Sequence, residues 1–209
     1  MQIRTQVYCF VLFLAILLTS SLVQSQVGSE TAAPVAPAEK ASPTAFYAAV
    51  SQRFDIPENQ VQALVEAGVP PAEVVVLYFV AESSLRSPDE IIADREGGKS
   101  WGQIAQASSI GPEAFYYPLP NARKPFTNVY AVYHQLPRSH WTWEHLQLQD
   151  ADVENLVNLR FLGELAGDKA PEVLRMRSQG MDYLTIHHYL LDGQQTATGP
   201  TQAEGTVRS

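Results

Sequence analysis

Residues 87–119, SPDEIIADREGGKSWGQIAQASSIGPEAFYYPL, hold three helix starts and two glycine stops in one short run. Ser87 is a cap, Pro88 suits the first helical position, and Glu90 is placed to return a hydrogen bond to the cap. Asp89 and Glu90 also suit the positive end of the helix dipole. Gly97-Gly98 ends this helix, because glycine enters the left-handed conformation without a Cβ clash. Ser100 with Gln103 repeats the capping pattern, and Trp101, Ile104, Ala105 and Ser108 then fall on one face. Ile110-Gly111-Pro112 closes the second helix, and residues 112–116 are expected to open a third.

A diverged second copy follows. Residues 90–111 align without a gap to 172–193, so that Glu90 meets Glu172, Arg95 meets Arg177, Gly98 meets Gly180 and Trp101 meets Tyr183. Ile104 meets Ile186, and Gly111 meets Gly193. Upstream, with a small shift, Ala72-Glu73-Val74 and Leu77 meet Ala151-Asp152-Val153 and Leu156. The matches fall on caps, stops and core positions, where a shared backbone demands them. Two copies are too few for an open solenoid. The expected fold is therefore all-α, with two three-helix, helix-turn-helix-like units packed into one compact helical domain.

The apolar run 74–81 is rich in β-branched residues, which makes a buried strand conceivable. Helix is expected, because Pro70-Pro71 starts the run, Glu73 suits its first turn, and the pattern continues through Glu82 and Leu85. A helix apolar nearly all round belongs at the centre of a bundle. Asp150 is expected to cap the matching long helix, with Gly167 as its stop. The units span about residues 72–117 and 150–193, bridged by a proline- and aromatic-rich segment at 118–149, inside a domain running from 42 to 193. The last helix is expected to end at Asp192-Gly193, and residues 194–209 to be a disordered tail.

Arg4 is the only charge before an apolar run at 7–18, and small residues near Ser25 offer cleavage before Gln26. Residues 1–25 thus read as an export signal. The run is short of the roughly 20 residues a membrane span needs, so a membrane contact is expected only if this segment stays uncleaved. Residues 26–41, rich in Ala, Pro, Glu and Ser, read as a flexible linker. Cys9, the single cysteine, lies in the signal, so a cleaved chain could form no disulfide and use no thiolate. Periplasmic or extracellular placement follows as the expectation. The formal net charge of −8 disfavours nucleic acid as a partner, since that binding needs basic patches.

Residues Ile92, Arg95, Gly98, Ser100, Trp101, Ile104 and Ala105, followed by Ile110-Gly111, resemble the helix-turn-helix units of homeodomain-like and resolvase-like DNA-binding domains. The resemblance implies the motif and not its function, because residues 111–117 contain no Lys or Arg for a recognition helix. Residues 155–162, followed by Pro171-Glu172-Val173, Arg177 and Gly180, are similar to a group of exported bacterial proteins with no known activity. That similarity implies an ordered helical domain and brings no catalytic residues.

Chemistry concentrates in the bridge. His134, Tyr130, Tyr133, Trp141 and Trp143 form the candidate ligand or partner surface, since Trp and Tyr dominate binding hot spots. With Tyr116, Tyr117 and Phe126 counted, most of these aromatics are expected to be buried, with one or two left at a groove. His140 and His145, with His134 and Glu144, are candidate metal ligands, and His140 and Glu144 would share a face on one helix. His187 aligns with inward Ala105, and His188 with outward Gln106. Arg95 and Arg177 either bind an anion or hold helix-end carbonyls and an acidic partner such as Glu90 or Glu172. Gly98-Lys99-Ser100-Trp101-Gly102 has the spacing Gly-x-Ser-x-Gly, but no strand feeds it as a nucleophile elbow requires, and Gly97-Gly98-Lys99-Ser100 lacks the earlier phosphate-loop glycine, Ala93 standing there. No cofactor is implied. The sequence supports a binding or structural protein of the bacterial envelope or extracellular space, with a metal-dependent protein or enzyme as the alternative.

Overall fold

The computed structural model describes residues 43–197, with side chains through residue 191. The expected signal at 1–25 and linker at 26–41 lie outside the described residues, as does most of the expected tail. Regular structure among the described residues is entirely helical. The α-helices are α1 Pro43–Phe54, α2 Glu58–Glu66, α3 Pro71–Ser83, α4 Pro88–Glu96, α5 Trp101–Ala107, α6 Thr127–Gln135, α7 Trp143–Leu146, α8 Asp150–Leu165, α9 Ala170–Ser178 and α10 Tyr183–Ala197. Single 3-10 turns occupy Pro112–Phe115 and Arg138–His140.

Both expected capping boxes are present. Ser87 Oγ accepts from the Glu90 amide at 3.4 Å, and the Glu90 carboxylate accepts from the Ser87 amide at 2.8 Å. Ser100 and Gln103 do the same at 3.2 and 2.9 Å. Gly98 and Gly180 take φ of +83° and +90° after α4 and α9. Their amides donate to Arg95 O and Arg177 O, and the following amides reach back to Asp94 O and Met176 O. Each end satisfies carbonyls that a helix terminus otherwise leaves open.

The core is built on α3 and α8, which pack on each other more extensively than any other pair. Residues Val74 through Val80 of α3 are all buried. That is possible because α1, α2, α4 and α8 surround it, so helical burial on every side replaces the strand alternative. Asn158 of α8, fully buried, donates to Ala72 O at 3.0 Å near the start of α3. Phe46 of α1 meets the edges of Phe161 and His187, at centroid distances of 5.7 and 5.5 Å, and so lays α1 against α8 and α10.

Three expectations need correction. Gln149, not Asp150, is the N-cap residue of α8, and its amide donates to the Asp152 carboxylate at 3.0 Å. Asp150 faces away to α5, where its Oδ1 accepts from the Trp101 amide at 2.7 Å. The third helix at residues 112–116 is one 3-10 turn, because Pro118 and Pro120 follow and Pro112 and Phe115 are pulled into the core. α10 runs past Asp192-Gly193 to Ala197, since Gln194, Gln195 and Ala197 are helix-compatible and no proline intervenes. Glu73 takes the Arg95 guanidinium, and Asn155 takes that of Arg177.

Gly163 sets the approach of α9 to α8. A Cβ built there would meet Ala170 Cβ at 2.9 Å and Ala170 Cα at 3.2 Å. Gly163→Ala should therefore cost about 1–3 kcal/mol through overpacking, despite alanine's higher helix propensity. Urea unfolding should show a lowered midpoint with an unchanged slope; a midpoint at or above wild type would refute the close contact.

Candidate functional site

The bridge between α5 and α8 is held by its polar atoms as much as by its rings. Trp143 Nε1 donates to Ile110 O at 2.8 Å, and Trp141 Nε1 donates to Leu136 O at 3.1 Å. Tyr133 is 5% exposed and its hydroxyl donates to Pro112 O at 2.7 Å. Burial pushes the Tyr133 phenol well above the ordinary tyrosine range, so it remains protonated. From α8, Arg160 donates to Ala114 O at 2.9 Å and Tyr116 O at 2.7 Å, pinning the end of the 3-10 turn. Trp143 also packs on Phe115 at 5.4 Å, and a Cβ on Gly102 would meet its ring at 3.2 Å. Glycine at that position admits the indole.

Above this layer, Tyr116, Tyr133 and Trp141 form a ring cluster with centroid separations of 4.7 to 5.2 Å. Arg138, exposed, lies over Tyr116 at 4.9 Å and over Trp141 at 5.3 Å. Beside it, Tyr130 and exposed His134 stack at 3.9 Å, and His134 Nδ1 meets Tyr130 O at 2.7 Å. Tyr116, Tyr130, Trp141 and Trp143 are half-buried. The structure thus groups Tyr133, Trp141 and Tyr116, sets Tyr130 and His134 alongside, and turns Trp143 inward. Arg138 was missed as a member of this surface; only its proximity in space reveals it.

His140 and Glu144 do not share a helix. His140 closes the Arg138–His140 turn, whereas Glu144 lies in the first turn of α7. His145 Nδ1 faces the backbone carbonyl of His140 at 3.1 Å, while the His140 Nδ1 meets the Ser139 hydroxyl at 3.4 Å. Among the described residues, no three or more His, Cys, Asp or Glu side chains form a group that could hold a metal ion.

No match to a protein family, a curated protein or a solved structure was found. The reading of the site therefore rests on its own geometry.

Each arginine corner holds its own turn. Arg95 donates to Lys99 O at 2.9 Å and Arg177 to Met181 O at 3.0 Å, each across its own glycine turn. Their acidic partners are not Glu90 and Glu172. Arg95 pairs with Glu73 at 3.1 Å and Asp150 at 2.7 Å, because α3 and α8, rather than its own helix, face it.

His187 is 2% exposed, and its Nε2 has no hydrogen-bond partner among the described residues. His188 beside it is half-buried. Burial, and secondarily His188, lower the His187 pKa below 6.5. The unfolded chain therefore binds a proton that the folded chain refuses, and stability falls as pH drops from 6.5 toward the folded value. His187→Leu should flatten the urea midpoint across that window, while losses from Glu90 and Asp94, whose pKa values are lowered from 4.5 and 3.8, persist further down. An identical pH profile in the variant would contradict the assignment.

Proposed function

We propose that this chain is an exported helical binding or structural protein of the bacterial envelope or extracellular space, and that the bridge carries its partner surface. The signal-like residues 1–25 support export, and the net acidity of the chain supports a partner other than nucleic acid. The observation that carries the binding reading is the Tyr116–Tyr133–Trp141 cluster under Arg138. Its buried polar atoms are already bonded to backbone carbonyls, and its half-buried faces flank the Tyr130–His134 stack. Aromatic and arginine side chains held in one geometry lose little entropy on contact with a partner.

The duplicated unit belongs to the same reading. α4 and α9 have equal length, their glycine turns make the same three backbone hydrogen bonds, and Arg95 and Arg177 lie over Trp101 and Tyr183 at 4.5 and 4.8 Å. These equivalences support α3–α5 and α8–α10 as diverged helix-turn-helix-like copies, with the bridge as the part that has no counterpart. A surface present once, on a scaffold present twice, is where a specific contact is best placed.

A photo-crosslinking side chain at His134 should give an adduct of one defined mass in envelope or culture fractions. The same probe at Gln62, exposed on α2, should not. Equal adducts at both positions, or none at His134, would reject the surface.

A further inference from the structure

The two arginine corners share their geometry but not their charge balance. Arg95 is neutralised by Glu73 and Asp150. Arg177 has no carboxylate within ion-pair distance among the described residues. Its Nε donates instead to the neutral amide oxygen of Asn155 at 3.3 Å, which also accepts the Tyr183 hydroxyl at 2.5 Å. Where the first corner holds a carboxylate at Glu73, the second holds an amide, and the half-buried Arg177 makes no direct ion pair among the described residues.

Arg177 lines a cleft of about 220 Å³ between the start of α3 and the start of α10. Glu154 of α8 lines the same cleft, half-buried, and its carboxylate takes part in no hydrogen bond or ion pair among the described residues. Burial, then Glu73 and Asp150, push the Glu154 carboxyl above its ordinary range, against the weaker pull of Arg95 and Arg177. Asp182, at the rim, is engaged in capping α10 through the Thr185 amide and hydroxyl at 2.8 and 3.0 Å. Pro70, Pro71 and Leu184 supply apolar walls. One cleft therefore presents a guanidinium and a carboxylate that attract each other without a direct ion pair, and a patch for an aliphatic group.

We propose that this cleft binds a small zwitterion of the free amino-acid class, with its carboxylate on Arg177, its ammonium on Glu154 and an aliphatic side chain against Pro70, Pro71 and Leu184. A guanidinium favours a carboxylate through paired, charge-assisted hydrogen bonds. An ammonium at Glu154 relieves the carboxylate crowding from Glu73 and Asp150. Binding should weaken as the solution is acidified and Glu154 takes up a proton. The cleft at the first corner, about 280 Å³ and lined by Glu73, Arg95 and Trp101, lacks this ability because its arginine is already paired.

The test is titration of the purified protein with L-leucine, read by amide chemical shifts, beside N-acetyl-L-leucine and L-leucinamide, which lack the ammonium and the carboxylate charge respectively. L-leucine should shift Ala72 and Leu184, and each blocked analogue should bind about 10-fold or more weakly. Because Arg177 also holds the Met181 turn, Glu154→Gln is the decisive variant: it should weaken L-leucine and leave N-acetyl-L-leucine unchanged. No shifts at about 20 mM L-leucine, equal binding of the three compounds, or equal binding by Glu154→Gln would overturn the proposal.

Discussion

The Arg95 guanidinium is the interaction on which the arrangement of helices depends. It leaves α4, bonds Lys99 O across the glycine turn, pairs with Glu73 of α3 and Asp150 of α8, and covers the Trp101 ring of α5 at 4.5 Å. Asp150 in turn receives the Trp101 amide, an N-terminal helix donor with no partner in its own helix. One carboxylate thus compensates a charge and finishes the start of a helix from across the fold. The long helices α3 and α8 supply the apolar area, and this polar joint fixes where α4 and α5 sit against them.

A glycine turn, an arginine above an aromatic and a bond to the carbonyl four residues on are found again at Arg177 and Tyr183. Asn155 stands there where Arg95 has an acid, and among the described residues no carboxylate forms an ion pair with Arg177. Between the two corners lies the bridge, an aromatic layer seated on Arg160 and admitted by Gly102.

Much of the scaffold was legible because its signals are local. Ser87 with Glu90, Ser100 with Gln103, and Gly98 and Gly180 act over a few residues, and the chain places them where the pattern puts them. The helical state of α3 followed from Pro71 and the run beyond it. What failed was decided at a distance. Asp150 reads as a cap in sequence, yet it faces a partner on α5; His140 and Glu144 are parted by a break that spacing does not reveal. In the candidate surface, Tyr116, Tyr130, Tyr133, Trp141 and His134 were identifiable by composition. Arg138 joined them only through packing.

If Arg95 and Asp150 form the joint described, their contributions cannot be independent. A double-mutant cycle of Arg95→Met and Asp150→Asn, measured by urea unfolding, tests this most directly. Asparagine keeps an acceptor for the Trp101 amide, so the cycle isolates the ion pair. A coupling of about 1 kcal/mol or more is expected for this partly buried contact. Additivity of the two substitutions within about 0.5 kcal/mol would contradict the central role of Arg95.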